Sequence, residues 1–487
     1  MSIAELLEQI HVCNSEAFGG GEIGSERQQK LYNLRVAVVG SGPIGQMVLG
    51  CLYGLGVGKI YFMDNSENMS AEDKGFLYGH FDNIRGKKKS DLVFEALQQI
   101  NPVSKIVPRH GRFSETFVYD FNPQIIIDAT NDSVSKERVI QYAFGFSSKA
   151  VPVISLASDY DIGAITCYWP KNRVIKIFTE KPNLETLLQK EFDGRAQGGF
   201  TSGIVAGLAV EEIRKFAFSY NENDSKLESN VRLAYNIYSI TRKGMESDLK
   251  KNNIPFYRSK RVLVAGAGAL GNWASIYLSQ MGLGQVDFLD YDEAEEKNLN
   301  RQIQLRGRIR EKKAKILSER LKEIDPHVKT GHWDGKLCDE LSGEDRARGL
   351  KKISEEGILA QKYDAILGCF DNKYARLWLN DFSVRNNIPY IDGGTHPTAG
   401  QLAVYIPGKT RNVDQQLNLH AFPEQTSTVC EGPNPSVVMS NAIIGGAMVG
   451  ELTHVFNPGL NATLLEGPIY YTISAPQRIY AERRLAR

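Results

Sequence analysis

The stretch Arg261–Asp290, RVLVAGAGALGNWASIYLSQMGLGQVDFLD, decides how the chain is read. It opens on a short, apolar, β-branched run, as expected of a buried parallel strand. A glycine-rich turn follows, then an apolar-periodic helix and a second apolar run that closes on Asp290. This order is the start of a βαβ unit. The same unit stands earlier, as RVAVVGSGPIGQMVLGCLYGLGVGKIYFMD over Arg35–Asp64, and the two align without a gap at an offset of 226 residues.

The correspondence continues outward. KSDLVFEALQQINP (89–102) matches KAKILSERLKEIDP (313–326), a helix that closes on Asx-Pro, where helices stop. QIIIDATND (124–132) matches DAILGCFDN (364–372), an apolar strand entering a polar loop. VPVISLASDYDIGAITCYWP (151–170) matches IPYIDGGTHPTAGQLAVYIP (388–407), and the small-residue helix TSGIVAGLAVEEI (201–213) matches SNAIIGGAMVGEL (440–452). Blocks repeating in one order over so long a period imply duplication of a whole domain, since solenoid repeats run to about 50 residues. The expected fold is α/β, two doubly wound Rossmann-like domains packed as an intramolecular pseudo-dimer. The polar run SYNENDS (219–225) suggests a junction near residue 225, giving domains 1–225 and 226–487.

Composition narrows the class. Of 487 residues, 42% are hydrophobic and 24% charged, the proportions of a soluble globular chain. Lys and Arg total 58 against 57 Asp and Glu, so no global basic field favours nucleic acid. No apolar run approaches the ~18 residues of a spanning helix, and the opening MSIAELLEQIHVCNSEAF is not patterned as a signal peptide. Six dispersed cysteines without a CxxC pair suit free thiols in the cytoplasm, and no structural zinc of the paired CxxC type is expected.

Glycine triplets after a strand mark nucleotide sites: they permit a tight turn, close approach of phosphate to backbone, and helix packing. Gly266, Gly268 and Gly271 form one triplet and Gly40, Gly42 and Gly45 the other, followed by Asp290 and Asp64 where a ribose hydroxyl would be held. Taken alone, this pattern points to an NAD-dependent oxidoreductase. The residues beyond Asp290 change that reading. NLNRQ supplies Asn298, Arg301 and Gln302; Lys313 follows; and CFDN brings Asp371 and Asn372, with Arg376 beyond.

The series Asp290–Asn298–Arg301–Gln302–Lys313–Asp371 resembles the adenylation signature of the ThiF/MoeB family, which includes the ubiquitin-activating enzymes. The resemblance covers nearly all of Arg261–Leu452 and, more weakly, Arg35–Ile213. It implies that the glycine loop and Asp290 hold ATP, that Asn298 and Arg301 meet its phosphates, that Lys313 adds positive charge, and that Asp371 binds Mg2+, with Gln302 and Asn372 beside them. The chemistry needs such residues. A carboxylate attacking the α-phosphate is anion meeting anion, so cations and oriented donors belong where charge develops. The implied substrate is the C-terminal glycine of a ubiquitin-like or sulfur-carrier protein, or a peptide, with a small carboxylate as the alternative.

The first half keeps the glycine turn, Asp64 and Lys89 but sets Gly75 opposite Arg301 and Asn131 opposite Asp371, so it reads as a degenerate copy. The family's partner subunit often lends an Arg from ahead of its first strand; Arg27 is the candidate here. Cys430, in STVCEGP, resembles the TCxxG context in which some sulfur-transfer members accept the activated group, and a depressed thiol pKa would favour that role. There is no room for a large catalytic-cysteine insertion between Pro407 and Thr426, nor for a ubiquitin-like domain after Phe456, which favours adenylation over a complete thioester cascade. His396 is given no role. A non-catalytic binding scaffold is the third reading, and it leaves the Arg301, Lys313 and Asp371 set in one half unexplained.

Overall fold

The computed structural model describes residues 12–65, 75–77, 79, 86–102, 104–113, 121–130, 133–143, 151–158, 163–168, 199–219, 232–235, 257–421, 436–456, 467–474 and 479–481. Two sheets carry it. The first contains β1 (Arg35–Val39), β2 (Lys59–Asp64), β3 (Lys105–His110), β4 (Ile125–Asp128), β5 (Val153–Ser158), β6 (Gly163–Tyr168) and β7 (Arg232–Tyr235), in the spatial order 3-2-1-4-5-6-7. The second contains β8 (Arg261–Ala265), β9 (Gln285–Leu289), β10 (Lys329–Trp333), β11 (Ala365–Gly368), β12 (Tyr390–His396), β13 (Ala399–Tyr405), β14 (Ile469–Thr472) and β15 (Ile479–Ala481), in the order 10-9-8-11-12-13-14-15.

In each sheet the first five strands are parallel and the rest antiparallel. The duplication seen in sequence is therefore a duplication of topology. The strand order reverses at β1 in one half and β8 in the other, and each glycine turn leaves its sheet at that switch point, where open α/β sheets bind ligands. One expectation shifts: β7 lies beyond residue 225 yet pairs with β6, so the junction between halves falls after Tyr235. A polar run had suggested it earlier, but strand pairing across that run is not visible to composition.

The halves meet through helices rich in small residues. Helices Pro43–Leu55 and Gly199–Ser219 from the first pack with Ala269–Leu278 and Val438–Phe456 from the second. A β-carbon on Gly203 would lie 2.1 Å from the Tyr277 hydroxyl, and one on Gly446 2.7 Å from the Phe200 carbonyl. Only glycine lets these backbones approach so closely. As a result one apolar cluster runs from Val36 and Leu52 through Ile204 to Trp273, Ile443 and Met448, joining both halves in a single core. Among the described residues no helix is long and apolar enough to cross a membrane.

Candidate functional site

The turn after β8 is fixed by steric demand at two of its three glycines. Gly266 sits at φ +103°, with its missing β-carbon 2.8 Å from the Cys369 carbonyl, and a β-carbon on Gly271 would lie 1.9 Å from Gly266 O. Gly268, the N-cap of helix Ala269–Leu278, has ordinary φ and no heavy atom within 4 Å of its β-carbon position. That side of the helix N-terminus is open, where the unpaired N–H groups and the helix dipole favour an anion.

Asp290 directly follows β9, beside the glycine turn. Its carboxylate accepts the Ala267 N–H at 2.7 Å and the Asp292 N–H at 2.8 Å. Burial raises its pKa to about 6, against the pull of Lys313. Lys313 is itself buried and donates to Asp292 at 3.0 Å. Both expected residues are thus together at the turn.

The NLNRQ segment lies against helix Ala269–Leu278, whose Trp273 Nε1 donates to Arg301 O at 3.0 Å. Asn298 Oδ1 accepts the Glu295 N–H at 3.0 Å in a capping box, so that oxygen is committed to shaping the loop. Arg301 is 2% exposed, and burial lowers its pKa to about 10, which leaves it charged at neutral pH. Its Nη1 donates to Lys297 O at 3.0 Å, Asn300 Oδ1 at 2.6 Å and Cys13 Sγ at 3.3 Å, whereas its Nε is buried with no partner among the described residues. Gln302 Oε1 and Asn272 Nδ2 are also buried without partners. An unpaired buried polar group costs about 1–3 kcal/mol. These three atoms fall on two segments bonded to each other, through Trp273 Nε1 to Arg301 O and through the Gln304 N–H, which donates to Asn272 Oδ1 at 2.9 Å.

After β11, Asn372 caps helix Lys373–Arg385 by accepting the Ala375 N–H at 2.9 Å. Its side-chain oxygen is therefore held by the helix, which qualifies the nucleotide contact expected of it. The consequence for Asp371 is favourable: its carboxylate is exposed and makes no hydrogen bond to a described residue. Arg376 on the same helix forms a buried ion pair with Asp392, which also accepts from the Tyr390 hydroxyl at 2.6 Å.

Several expected contributors stand elsewhere. Arg27 donates to Phe18 O and lies 5.4 Å from the Phe218 ring, both in its own half. His396 is exposed and contacts Thr398. Cys430 and Asn131 lie outside the described residues. Sequence reasoning missed Asn272, Asn300 and the first-half residues Cys13 and Asn14 that reach the NLNRQ segment. Asn272 had a signal, a carboxamide in an otherwise apolar helix; Asn14 had none, since its contact spans 286 residues.

The sequence model of the ThiF family matches residues 18–256 and 250–465, nearly the whole chain. Over 148 residues the chain is 30% identical to the adenylyltransferase and sulfurtransferase UBA4 of Yarrowia lipolytica, covering 30% of this chain and 34% of that protein. It is 34% identical over 148 residues to the enzyme of the same name from Aspergillus niger, covering 30% and 28%. Against the adenylyltransferase and sulfurtransferase MOCS3 of Drosophila sechellia it is 32% identical over 166 residues, covering 34% and 32%. The matched stretches thus span about a third of these relatives. Escherichia coli MccB, solved with succinimide, superposes at a TM-score of 0.37 with 17% identity over 47% of this chain and 65% of that one, too loose a fit to argue from.

Proposed function

The chain belongs to the ThiF family, and from that premise we propose that it is an ATP-dependent adenylyltransferase whose second half activates a carboxylate. The observation that carries the reading is a set of buried polar atoms without described partners, Asn272 Nδ2 on the helix that Gly268 caps and Arg301 Nε and Gln302 Oε1 on the NLNRQ segment bonded to that helix, together with the exposed Asp371 carboxylate that acts electrostatically on Arg301. These groups suit ATP. The helix N-terminus at Gly268 receives phosphate, Asp290 faces the ribose, Arg301 offers guanidinium hydrogens to the α-phosphate region, and Lys313 adds a point charge. Asp371 would hold Mg2+, which is commonly bound by one or two carboxylates together with substrate phosphates.

In the reaction a substrate carboxylate oxygen attacks the α-phosphorus, pyrophosphate leaves with the bond's electrons, and an acyl adenylate results. Arg301, desolvated and still cationic, counters the charge that grows on the phosphates. The proposed substrate is the C-terminal glycine of a ubiquitin-like or sulfur-carrier protein, by analogy with the UBA4 and MOCS3 relatives, or a peptide. Cys430 is proposed as acceptor in a later step, its thiolate displacing AMP from the acyl carbon.

Carboxylate-dependent exchange of labelled pyrophosphate into ATP, run with candidate carrier proteins and peptides, tests the reading. Exchange that depends on the acyl substrate supports it, and Cys430→Ala should leave that exchange intact. Nicotinamide-cofactor binding without any exchange would replace it with the oxidoreductase reading.

A further inference from the structure

The guanidinium of Arg301 is gripped at one end only. All of its hydrogen bonds to described residues leave from Nη1; Nε and Nη2, the pair that forms a side-on fork for a phosphate, have no described partner. The grip leads away from the site into the other half of the molecule. Arg301 Nη1 donates to Asn300 Oδ1 at 2.6 Å; Asn300 Nδ2 donates to Asn14 Oδ1 at 2.9 Å; Asn14 Nδ2 donates to Gly54 O, near the end of helix Pro43–Leu55, at 2.9 Å. Asn14 and Asn300 are fully buried. Gly54 permits the arrangement, because a β-carbon there would lie 2.5 Å from Asn300 O.

We propose that Asn14 is a positioning residue for Arg301: through Asn300 it ties the guanidinium to the first half's helix Pro43–Leu55, so that the half without the motif residues aims the phosphate-binding fork of the other. This rests on the functional reading above. Each carboxamide uses both its ends, donor and acceptor, so the chain of bonds has one direction and one register. A plain interface contact would not need to end on a guanidinium whose Nε is buried without a described partner. Where the family lends a partner arginine, this chain lends a pair of carboxamide bonds that hold an arginine already present.

The test is the affinity of the full chain for ATP and for adenosine, measured by calorimetric titration. Asn14→Ala is expected to weaken ATP binding roughly five- to tenfold, the worth of about one neutral hydrogen bond, here the one from Asn300, and to leave adenosine binding unchanged. In an Arg301→Ala background the same substitution should have no further effect on ATP. Equal loss for ATP and adenosine, or an undiminished effect of Asn14→Ala without Arg301, would overturn the proposal in favour of a general packing role. Should Asn14→Ala lose its circular-dichroism signature of folding, Asn300→Ala breaks the same link from the other side, and unchanged ATP affinity in that variant overturns the proposal as well. A wild-type chain that binds no ATP rejects the functional reading itself, which separates the two failures.

Discussion

In the first half, Ser41 gives both its N–H and its hydroxyl to Asp64 Oδ2, and Gln46 is spent on Ser41 O and the Leu77 N–H. In the second half the matching positions are Ala267, which has only its N–H to give Asp290, and Asn272, whose Oδ1 accepts from Gln304 while its Nδ2 stays unpaired. The glycine turns themselves are alike: Gly40 and Gly266 both lie at positive φ, and both Gly42 and Gly268 face open space. Duplication preserved the backbone and divided the side chains. At these two positions the first copy closes its hydrogen bonds internally, whereas Asn272 of the second leaves a buried donor without a described partner, at a cost of about 1–3 kcal/mol. Local rules are broken where a ligand is expected to mend them.

The same division appears in the buried ion pairs. Lys136 and Arg376 occupy equivalent helix positions, but Lys136 pairs with Asp128 on β4, while Arg376 pairs with Asp392 on β12. Gly368 stands where Asp128 stands in the first half, and a β-carbon on it would meet the Tyr390 hydroxyl at 2.4 Å. The cation stayed and its carboxylate changed strands.

The sharpest way to break this comparison is at the metal position. Asp371→Ala should reduce pyrophosphate exchange by roughly a thousandfold, since it would remove the carboxylate proposed to hold Mg2+. Asn131→Ala, at the matching position of the first half, should keep at least about a tenth of the activity. Comparable losses from both would dissolve the division of labour.

Stability offers a second contrast, one in which the halves should agree. Lys136→Ala and Arg376→Ala each strand a carboxylate with little or no exposure, so each should cost about 3–5 kcal/mol in denaturant unfolding. A small cost in one half alone would show that its ion pair is not the structural equivalent of the other.

The mildest effect is on pH. Burial holds Asp290 at about pH 6, above the usual carboxylate range, with Lys313 and Asp292 as its charged neighbours. The sign differs for stability and for binding. As pH falls below about 6 the folded state takes up the proton first and gains stability, whereas nucleotide affinity, which uses the ionised carboxylate, falls by up to roughly tenfold per unit. In Asp290→Asn this acid limb should be absent from a titration series between pH 5 and 7; its persistence would assign it to another group.

Much of this architecture was legible in the sequence because it rests on local patterns: glycine triplets, apolar strands, and an acid at the end of the second strand repeat in register. The order of Asp290, Arg301, Lys313 and Asp371 behind a turn at the switch point was legible too, and the structure sets Lys313 near Asp290 and Asp371 near Arg301. What stayed hidden is non-local. Asn14 reaches Asn300 across the fold, β7 completes a sheet from beyond the polar run, and the exchange of Asp128 for Asp392 depends on which strand lies beside which helix. The cap of helix Lys373–Arg385 falls on Asn372, so Asp371 is not spent on the helix N-terminus.

The central claim is that the later glycine turn, and not its twin, holds the nucleotide. Gly268 and Gly42 are both helix N-caps with ordinary φ and empty space at the β-carbon, so aspartate fits either, as a favoured cap, and brings a negative charge to the opening. Equilibrium dialysis of ATP against the two variants decides between them: one ATP per chain, lost in Gly268→Asp and retained in Gly42→Asp, is the expected result, whereas loss in Gly42→Asp with retention in Gly268→Asp would contradict the account.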